Sequence, residues 1–339
     1  MTDGVVLLAH GSGGILSQEL IENMFVRHHA NDVLSGMEDA ALVSLDDQAE
    51  ARVAITTDSF VVQPLFFPGG DIGKLSVCGT VNDLAMRGAR PLYLTSAYII
   101  EEGFSLTELE RIVVSQAATA RAAGVRIVAG DTKVVERGSG DGIFINTAGV
   151  GLVPEGVHVS AANARPGDVV LLSGAIGDHG LAIMTRREGL QFSSPLRSDC
   201  APLNDLVATM LRACPEIHVL RDPTRGGVAT ALNEIAQRSG VGIEIDEAQV
   251  PVHVPVQAAA ELLGLDPLYV ANEGKLLAIV PESAAGAVLQ AMQSHTYGVE
   301  AAAIGRVVSS SPGRVVLRTP LGTRRLVDML SGEQLPRIC

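Results

Sequence analysis

One pattern runs through this sequence and then restarts. Apolar strand-like runs alternate with helix-like segments from Val53 to Val153, stop at Pro154-Glu155-Gly156, and begin again around Ala164-Arg165-Pro166-Gly167-Asp168. Alternation of this kind limits the fold to layered α/β or α+β architectures, and a mid-chain restart makes two domains of similar size. Length agrees, since 339 residues exceed what one ordinary core organises. The expected fold class is α+β with α/β-like alternation. Residues 1–156 form one expected domain and 165–318 a second, with 319–339 a mobile tail, because the chain beyond Ser309 turns Arg- and Gly-rich with little periodicity.

In the first half, Val5 to Ala9 and Val53 to Thr57 read as strands, and Ile72 to Met86 as a helix with Leu75, Val77, Val81 and Leu84 on its apolar side. Pro91 to Ile100 is a strand, and Ser105-Leu-Thr-Glu108 is a capping box opening a helix that Gly124 closes. Val125 to Ala129 is a strand that breaks into Gly130-Asp131-Thr132-Lys133, and Phe144 to Val153 is another. The second half predicts strands over Val169 to Leu172, Gly242 to Ile245, Leu276 to Val280 and Ile304 to Val308. Its helices follow Gly180 and Gly227, then run over Val256 to Leu263 and Glu282 to Ser294.

Composition removes several function classes. A hydrophobic content of 47% indicates a filled interior rather than disorder, and aromatics at 3% with no Trp make that interior aliphatic. Apolar runs such as Val169 to Leu172 are too short to span a membrane, and Met1-Thr2-Asp3-Gly4 lacks the basic start of a signal peptide, so a cytoplasmic protein is expected. The net charge of −13, from 38 acidic against 25 basic residues, argues against a duplex nucleic-acid partner. Cys78, Cys200, Cys214 and Cys339 are scattered without C-x-x-C spacing and read as reduced thiols.

Several stretches carry candidate chemistry. Only three residues are lysine, and Lys74, Lys133 and Lys275 each lie in or beside a Gly-containing turn, where a compact ammonium suits phosphate or a shifted pKa. His10-Gly11-Ser12-Gly13-Gly14 can present backbone N–H groups to phosphate, although it misses the dinucleotide fingerprint at Leu16 and an ordinary loop satisfies it too. Pro68 to Leu75 imitates a phosphate-binding P-loop but lacks its first Gly and its Ser or Thr. Asp39, Asp58, Asp83 and Asp131 fall in the first half, three of them at or near the ends of apolar segments. Converging carboxylates hold hard cations, and Mg²⁺ brings phosphates with it; solvated loop carboxylates are the plain alternative. Asp83 stands toward the end of its helix, where the dipole opposes a carboxylate and favours a metal or charged partner. The chain ends on Pro336-Arg337-Ile338-Cys339. A terminal thiol can be carried into one site and out to another, but the adjacent α-carboxylate disfavours its thiolate, so a receiving site must supply a base or cation. An inert, frayed terminus is the other reading.

Together these segments carry a resemblance. Thr57-Asp58-Ser59, Pro64 to Gly70, Asn82-Asp83, Gly130 to Val135, Gly177 to Gly180, Arg221-Asp222, Thr224 to Gly227, Asn272 to Lys275 and the terminal motif resemble the AIR synthase-like (PurM-type) ATP-binding superfamily. Within it they resemble the HypE family of NiFe-hydrogenase maturation factors, over nearly the whole chain from His10; the terminal cysteine motif singles that family out. The resemblance implies a two-domain PurM-like fold, a homodimer whose N-terminal sheets pair, and use of ATP with Mg²⁺. It implies that a HypF carbamoyltransferase loads the Cys339 thiol. The S-carbamoyl group is then dehydrated to a thiocyanate at the expense of ATP, and a HypC–HypD scaffold takes the cyanide on iron. By the same match Asp58, Asp83 and Asp131, with Asp39, form the metal and phosphate group. His10, Gly11, Gly13 and Gly14 close over the phosphates, with Lys133, Asp222 and Arg225 also at the nucleotide site. Cys339, Lys133 and Glu273 are the catalytic set, the last two for proton abstraction or orientation. A helix-capping role remains open for Asp222, and a structural one for His179.

Two rivals differ in kind. Another ATP-dependent enzyme of the superfamily would act on a free small molecule and need no terminal thiol. A non-catalytic scaffold would use the tail as a docking peptide and bind ATP without turnover.

Overall fold

The computed structural model describes residues 6–11, 13–29, 31–44, 52–189, 196–330 and 337–339. Where a strand is expected over Val5 to Ala9, the chain instead forms a 3-10 turn over Leu8–Gly11, closed by His10 Nδ1 accepting from Leu7 N at 2.9 Å; Val5 lies outside the described residues. Short helices α1 (Ile15–Leu20) and α2 (Arg27–His29) follow.

A five-stranded sheet then builds the first domain. Its strands are β1 (Ala41–Ser44), β2 (Arg52–Phe60), β5 (Arg90–Glu101), β6 (Arg126–Val135) and β7 (Ile143–Val153), with a small hairpin, β3 (Phe66–Phe67) and β4 (Gly70–Asp71), set apart. The order is β1-β2-β7-β5-β6, antiparallel throughout except the β5–β6 edge pair. One face is covered by α3 (Ile72–Met86), and α4 (Leu106–Ala122) packs on α3. Helix α3 has the expected bounds but is buried all round rather than on one apolar side, because the sheet, α4 and the second domain enclose it. Asp71 caps its start, accepting from Lys74 N at 3.0 Å, and Ser105 caps α4. Gly73 permits the α3–α4 approach, since a Cβ there would meet the Ile112 carbonyl oxygen at 2.2 Å.

One expectation in this domain is corrected. The chain does not break at Gly130; β6 continues through Lys133, paired with β5 as Ser96↔Gly130 and Ile99↔Lys133. The glycine marks close backbone approach, with the Ser96 carbonyl oxygen 2.6 Å from where its Cβ would stand.

The second domain comprises β8 (Val169–Leu172), α5 (Asp178–Arg187), α6 (Asn204–Ala213), β9 (Val219–Arg221), α7 (Gly227–Ser239), β10 (Gly242–Asp246), α8 (Val254–Leu263), β11 (Leu277–Val280), α9 (Glu282–Gln293), β12 (Ala302–Val308), β13 (Val315–Arg318) and β14 (Arg324–Val327). Its seven strands run β14-β13-β10-β12-β8-β11-β9. Val170 and Leu172 face Val228, Leu232 and Ile235 of α7, while Leu171 faces a cluster that includes Leu206, Met210 and Met292. That second cluster also takes in Leu84 and Met86 of α3, so one apolar core spans both domains.

The irregular stretch expected after Ser309 is a hairpin. Strands β13 and β14 pair in register from Val315↔Val327 to Arg318↔Arg324, and β13 lies parallel on β10. Residues 324–327 therefore belong to the sheet and not to the tail expected from 319. The alternation is short and masked by arginines, which project outward while Val315, Leu317 and Val327 are buried. Among the described residues no helix is long and apolar enough to cross a membrane.

Candidate active site between the two domains

Carboxylates from three separate segments converge where the domains meet. Asp39 precedes β1, Asp83 projects from the last turn of α3, and Asp222 follows β9; an oxygen of each lies within 4.8 Å of the others. Thr56 on β2 fixes two of these segments, its Oγ1 lying within hydrogen-bond reach of Asp83 Oδ2 at 2.8 Å and of the Asp39 carbonyl at 3.0 Å. Beside Asp83, Asn82 grips the second domain, donating to the Ala201 carbonyl and accepting from Leu203 N at 2.8 Å.

The cluster holds more negative charge than its surroundings offset. Burial pushes Asp83 well above the usual carboxylate range, and the charges of Asp222, Asp58 and Asp39 push it further. Burial and then Asp39 raise Asp222 to about 7, against the pull of Arg221. Arg221 binds Asp39 at 2.5 Å and Glu234 at 2.5 Å, so its charge is already shared. An all-oxygen donor set this short of positive charge fits a hard divalent cation.

A second group adjoins the first. Asp58, in β2, accepts from Ser59 N at 2.7 Å, and burial raises its pKa against the Arg225 charge. Arg225 also donates to the Gly11 carbonyl at 2.9 Å. A Cβ at Gly13 would stand 2.8 Å from the Arg225 Cβ, so only a glycine lets the N-terminal loop lie against this residue. Gly14 lies as tightly on the Leu330 carbonyl oxygen, which accepts from Ile15 N at 3.1 Å. His10 stays in its own turn, and Ser12 lies outside the described residues.

Cys339 enters this group. Residues 337–339 lie antiparallel to the chain leaving β2, with Val61 N donating to the Cys339 carbonyl at 3.1 Å and Gln63 N to that of Arg337 at 3.2 Å. Arg337 pairs with Asp141, and Ile338 is buried in the apolar cluster that includes Phe60, Phe67 and Ile183. Pro336 lies outside the described residues. Burial lifts the Cys339 thiol to about 12, with Arg225 opposing and Glu273 and Asp58 adding to the rise. Glu273 is 3% exposed and is pushed well above its ordinary value by burial first. The loop that carries it is locked by Asn272, which accepts from Gly177 N at 2.8 Å and donates to the Pro223 carbonyl at 3.0 Å.

Asp39, Asp58, Asp83, Asp222, Arg225, Glu273 and Cys339 thus gather in one region, and the Gly11–Gly14 segment borders it. Asp131 and Lys133 do not join them. Both project from β6 on the open face of the first sheet, where they pair at 2.7 Å with 62% and 68% of their side chains exposed. Lys74 binds the Gly69 carbonyl at 3.0 Å and Lys275 pairs with Asp199 at 3.4 Å, so neither lysine meets the carboxylate trio. Arg221, bound to Asp39 and Glu234, and His179, bound to the Ile338 carbonyl, also belong to this region. The Arg221-Asp222 and Gly177–Gly180 motifs were the available signals for both.

A helix-backed sheet joined to a second domain built on a seven-stranded sheet, with this acidic cleft between them, is the arrangement of the AIR synthase class. The N-terminal AIR synthase related domain matches residues 37–153 and the C-terminal one residues 165–318. The carbamoyl dehydratase HypE of Azotobacter vinelandii is 56% identical, over 100% of this chain and 98% of that one. A crystal structure of a HypE–HypF complex superposes with a TM-score of 0.87 at 54% identity, covering 92% of this chain and 99% of that one. HypE in complex with ATP superposes at 0.83 with 50% identity, covering 99% and 100%. The chain belongs to the HypE family of hydrogenase maturation proteins.

Proposed function

We propose that this chain is a carbamoyl dehydratase that binds ATP and acts on an S-carbamoyl group carried by its own Cys339. The observation that carries the reading is the seating of the Cys339 thiol beside Arg225, Glu273 and Asp58, next to the Asp39–Asp83–Asp222 trio.

Loss of water from a carbamoyl group needs a better leaving group than oxide. Phosphorylation of the carbamoyl oxygen by ATP supplies one. Two N–H protons then leave nitrogen, the C–O bond breaks, and the products are a thiocyanate, ADP and phosphate. Mg²⁺, held by Asp39, Asp83 and Asp222 with Asp58 adjoining, would offset phosphate charge when bound. Arg225 faces the thiol and the Gly11 carbonyl, and there it orients the carbamoyl oxygen toward the phosphates. Glu273 is buried at the thiol, and a carboxylate with a raised pKa is the stronger base for an amide proton. Gly13 lets the N-terminal loop lie against Arg225, and Gly14 lets it lie against the Leu330 carbonyl.

Lys133 and Asp131 enter only with a second subunit. They lie on the open sheet face beside Ile99 and Ala97, their partners in register, and a homodimer packed through that face brings them to the shared nucleotide site. HypF fits as the donor of the carbamoyl group, since a HypE relative forms a complex with it. A HypC–HypD scaffold fits as the acceptor of cyanide.

The test is the intact-protein mass of the chain incubated with HypF, carbamoyl phosphate and Mg-ATP. The expected result is a carbamoyl adduct that loses one water only when ATP is hydrolysed, and neither change in Cys339→Ala. ATP consumption on a free metabolite, with no adduct, would return the chain to the small-molecule branch of its superfamily.

A further inference from the structure

Three guanidinium groups meet on the outer side of the domain boundary. The last turn of α5 carries Arg186 and Arg187, and the C-terminal segment brings Arg337 to the same place. Together with Gln63 and Pro64 they line a surface recess of about 560 Å³. Two of the three are fixed. Arg187 Nη2 donates to the Gln63 carbonyl at 2.7 Å and to that of Arg337 at 3.0 Å. Arg337 Nε donates to the Val61 carbonyl at 3.1 Å, and its Nη1 pairs with Asp141. Arg186 is exposed and, among the described residues, has no carboxylate partner. A helix C-terminus favours cations, which accounts for two arginines in the last turn of α5. It does not account for a third arriving from 150 residues away, in a chain whose net charge is −13. The crowding is felt: burial and then the Arg337 charge lower the Arg187 pKa, with Glu188 opposing. Asp141 and Glu188 offset part of the positive charge and leave Arg186 over.

Planar guanidinium forks match the oxygens of a tetrahedral oxyanion, and a phosphate has enough oxygens to meet more than one fork at once. We propose that this recess is a phosphate-binding site, and that a phosphate group seated in it bridges Arg186 and Arg187 of α5 to Arg337. The ligand class is a phosphate dianion, either free or at the end of a small organic phosphate. The site is separate from the nucleotide cleft, since none of its lining residues belongs to the carboxylate trio, the Gly11–Gly14 segment or Arg225. Arg337 completes it only while the C-terminal segment is seated. A ligand that binds one of two states shifts the chain toward that state, so phosphate in the recess holds Cys339 in and its departure frees it.

The experiment titrates inorganic phosphate into the full chain by calorimetry, in EDTA and at constant ionic strength with chloride as the balancing anion. EDTA keeps divalent cations, and phosphate carried with them, out of the acidic cleft. A parallel titration with methyl phosphate separates the sources: tighter binding of the ester assigns an organic phosphate, and tighter binding of the free ion assigns phosphate itself. The expected result is saturable binding that weakens at least about tenfold in Arg186→Glu, the loss of a charge-assisted contact. Arg186→Lys keeps the charge without the fork and falls between the two. Arg186 is a surface residue outside the nucleotide cleft, so ATP binding by both variants serves as the check that they fold. Tail position is read with a carboxypeptidase. Saturating phosphate slows release of Cys339 and Ile338 from the unaltered chain at least about threefold and leaves Arg186→Glu unaffected. No saturable binding, equal binding by Arg186→Glu, or saturation without slower release would each overturn the proposal. Neither ATP nor a carbamoyl group takes part in these measurements, so their outcome is separate from that of the dehydration assay.

Discussion

Glu273 and Asp222 are both buried carboxyls with raised pKa values, but their surroundings assign them different work. Glu273 stands at the thiol, and its replacement by Gln keeps the shape while removing the base. The expected outcome is at least about a hundredfold slower water loss from the carbamoyl adduct, with carbamoylation of Cys339 unchanged; an unaltered rate measured by mass would remove Glu273 from the mechanism. Asp222 belongs to the crowded trio. Its folded-state value of about 7 exceeds the unfolded one, so the native state holds the extra proton and stability falls as pH rises from about 4 toward 7. Without divalent cation, melting temperature should drop between about pH 5 and about pH 8, and Asp222→Asn should flatten the drop and raise the value at the upper end by a few degrees. Mg²⁺ should rescue the unaltered chain at the upper end and not the variant. A variant that melts lower there, or responds equally to Mg²⁺, contradicts the crowding argument. At this scale the sequence was informative where a motif pairs a charge with its own loop, as in Asn272-Glu273 and Arg221-Asp222. It was silent on long-range partners, such as the His179 bond to residue 338, because nothing local encodes a contact 159 residues away.

Among the elements, α3 was readable because Leu75, Val77, Val81 and Leu84 recur along it. Its enclosure on every side was not, since that depends on α4 and the second domain arriving. Gly73 shows how tight the arrival is. Replacing it by Ala sets a methyl against the Ile112 carbonyl, a backbone atom that moves only with α4. The expected cost is about 1–3 kcal/mol, read as a lower denaturant midpoint. The same substitution at Gly286 in α9 meets nothing within 4 Å and should stabilise slightly. Equal effects at both sites would mean that α3 and α4 are less closely packed than described. The β6 continuation and the β13–β14 hairpin escaped the sequence reading for related reasons. A glycine inside a strand reads as a turn, and four-residue strands with exposed arginines give too little alternation to register.

For the whole molecule, the first sheet has one face under α3 and the other open. Strand register places Ile55, Val150 and Tyr93 in one row across that open face, and Ile99 beside Lys133 in another. Their exposures of 43%, 37%, 38% and 47% for Ile55, Val150, Tyr93 and Ile99 are high for apolar residues in the middle of a sheet. Among the described residues, strand β6 adds an unpaired outer edge, with Val128 and Val134 59% and 68% exposed. An apolar edge strand of this length invites pairing, and charge or coverage normally blunts it. Its charges are Arg126 at one end, held over the Tyr93 ring, and Asp131 and Lys133, which neutralise each other. Coverage by a second copy resolves both the open face and the edge, and a closed two-fold contact uses the same surface twice. Val150→Arg puts a cation in the centre of that face without touching the trio, the thiol or β6. The expected outcome in light scattering is a dimer for the unaltered chain and a monomer for the variant. If the proposed dimer completes the nucleotide site with Asp131 and Lys133, ATP turnover should be lost in the monomeric variant along with dimerisation. A monomeric variant with full turnover would show that the cleft between the two domains of one chain suffices, and would leave Asp131 and Lys133 as an exposed ion pair with no part in the chemistry.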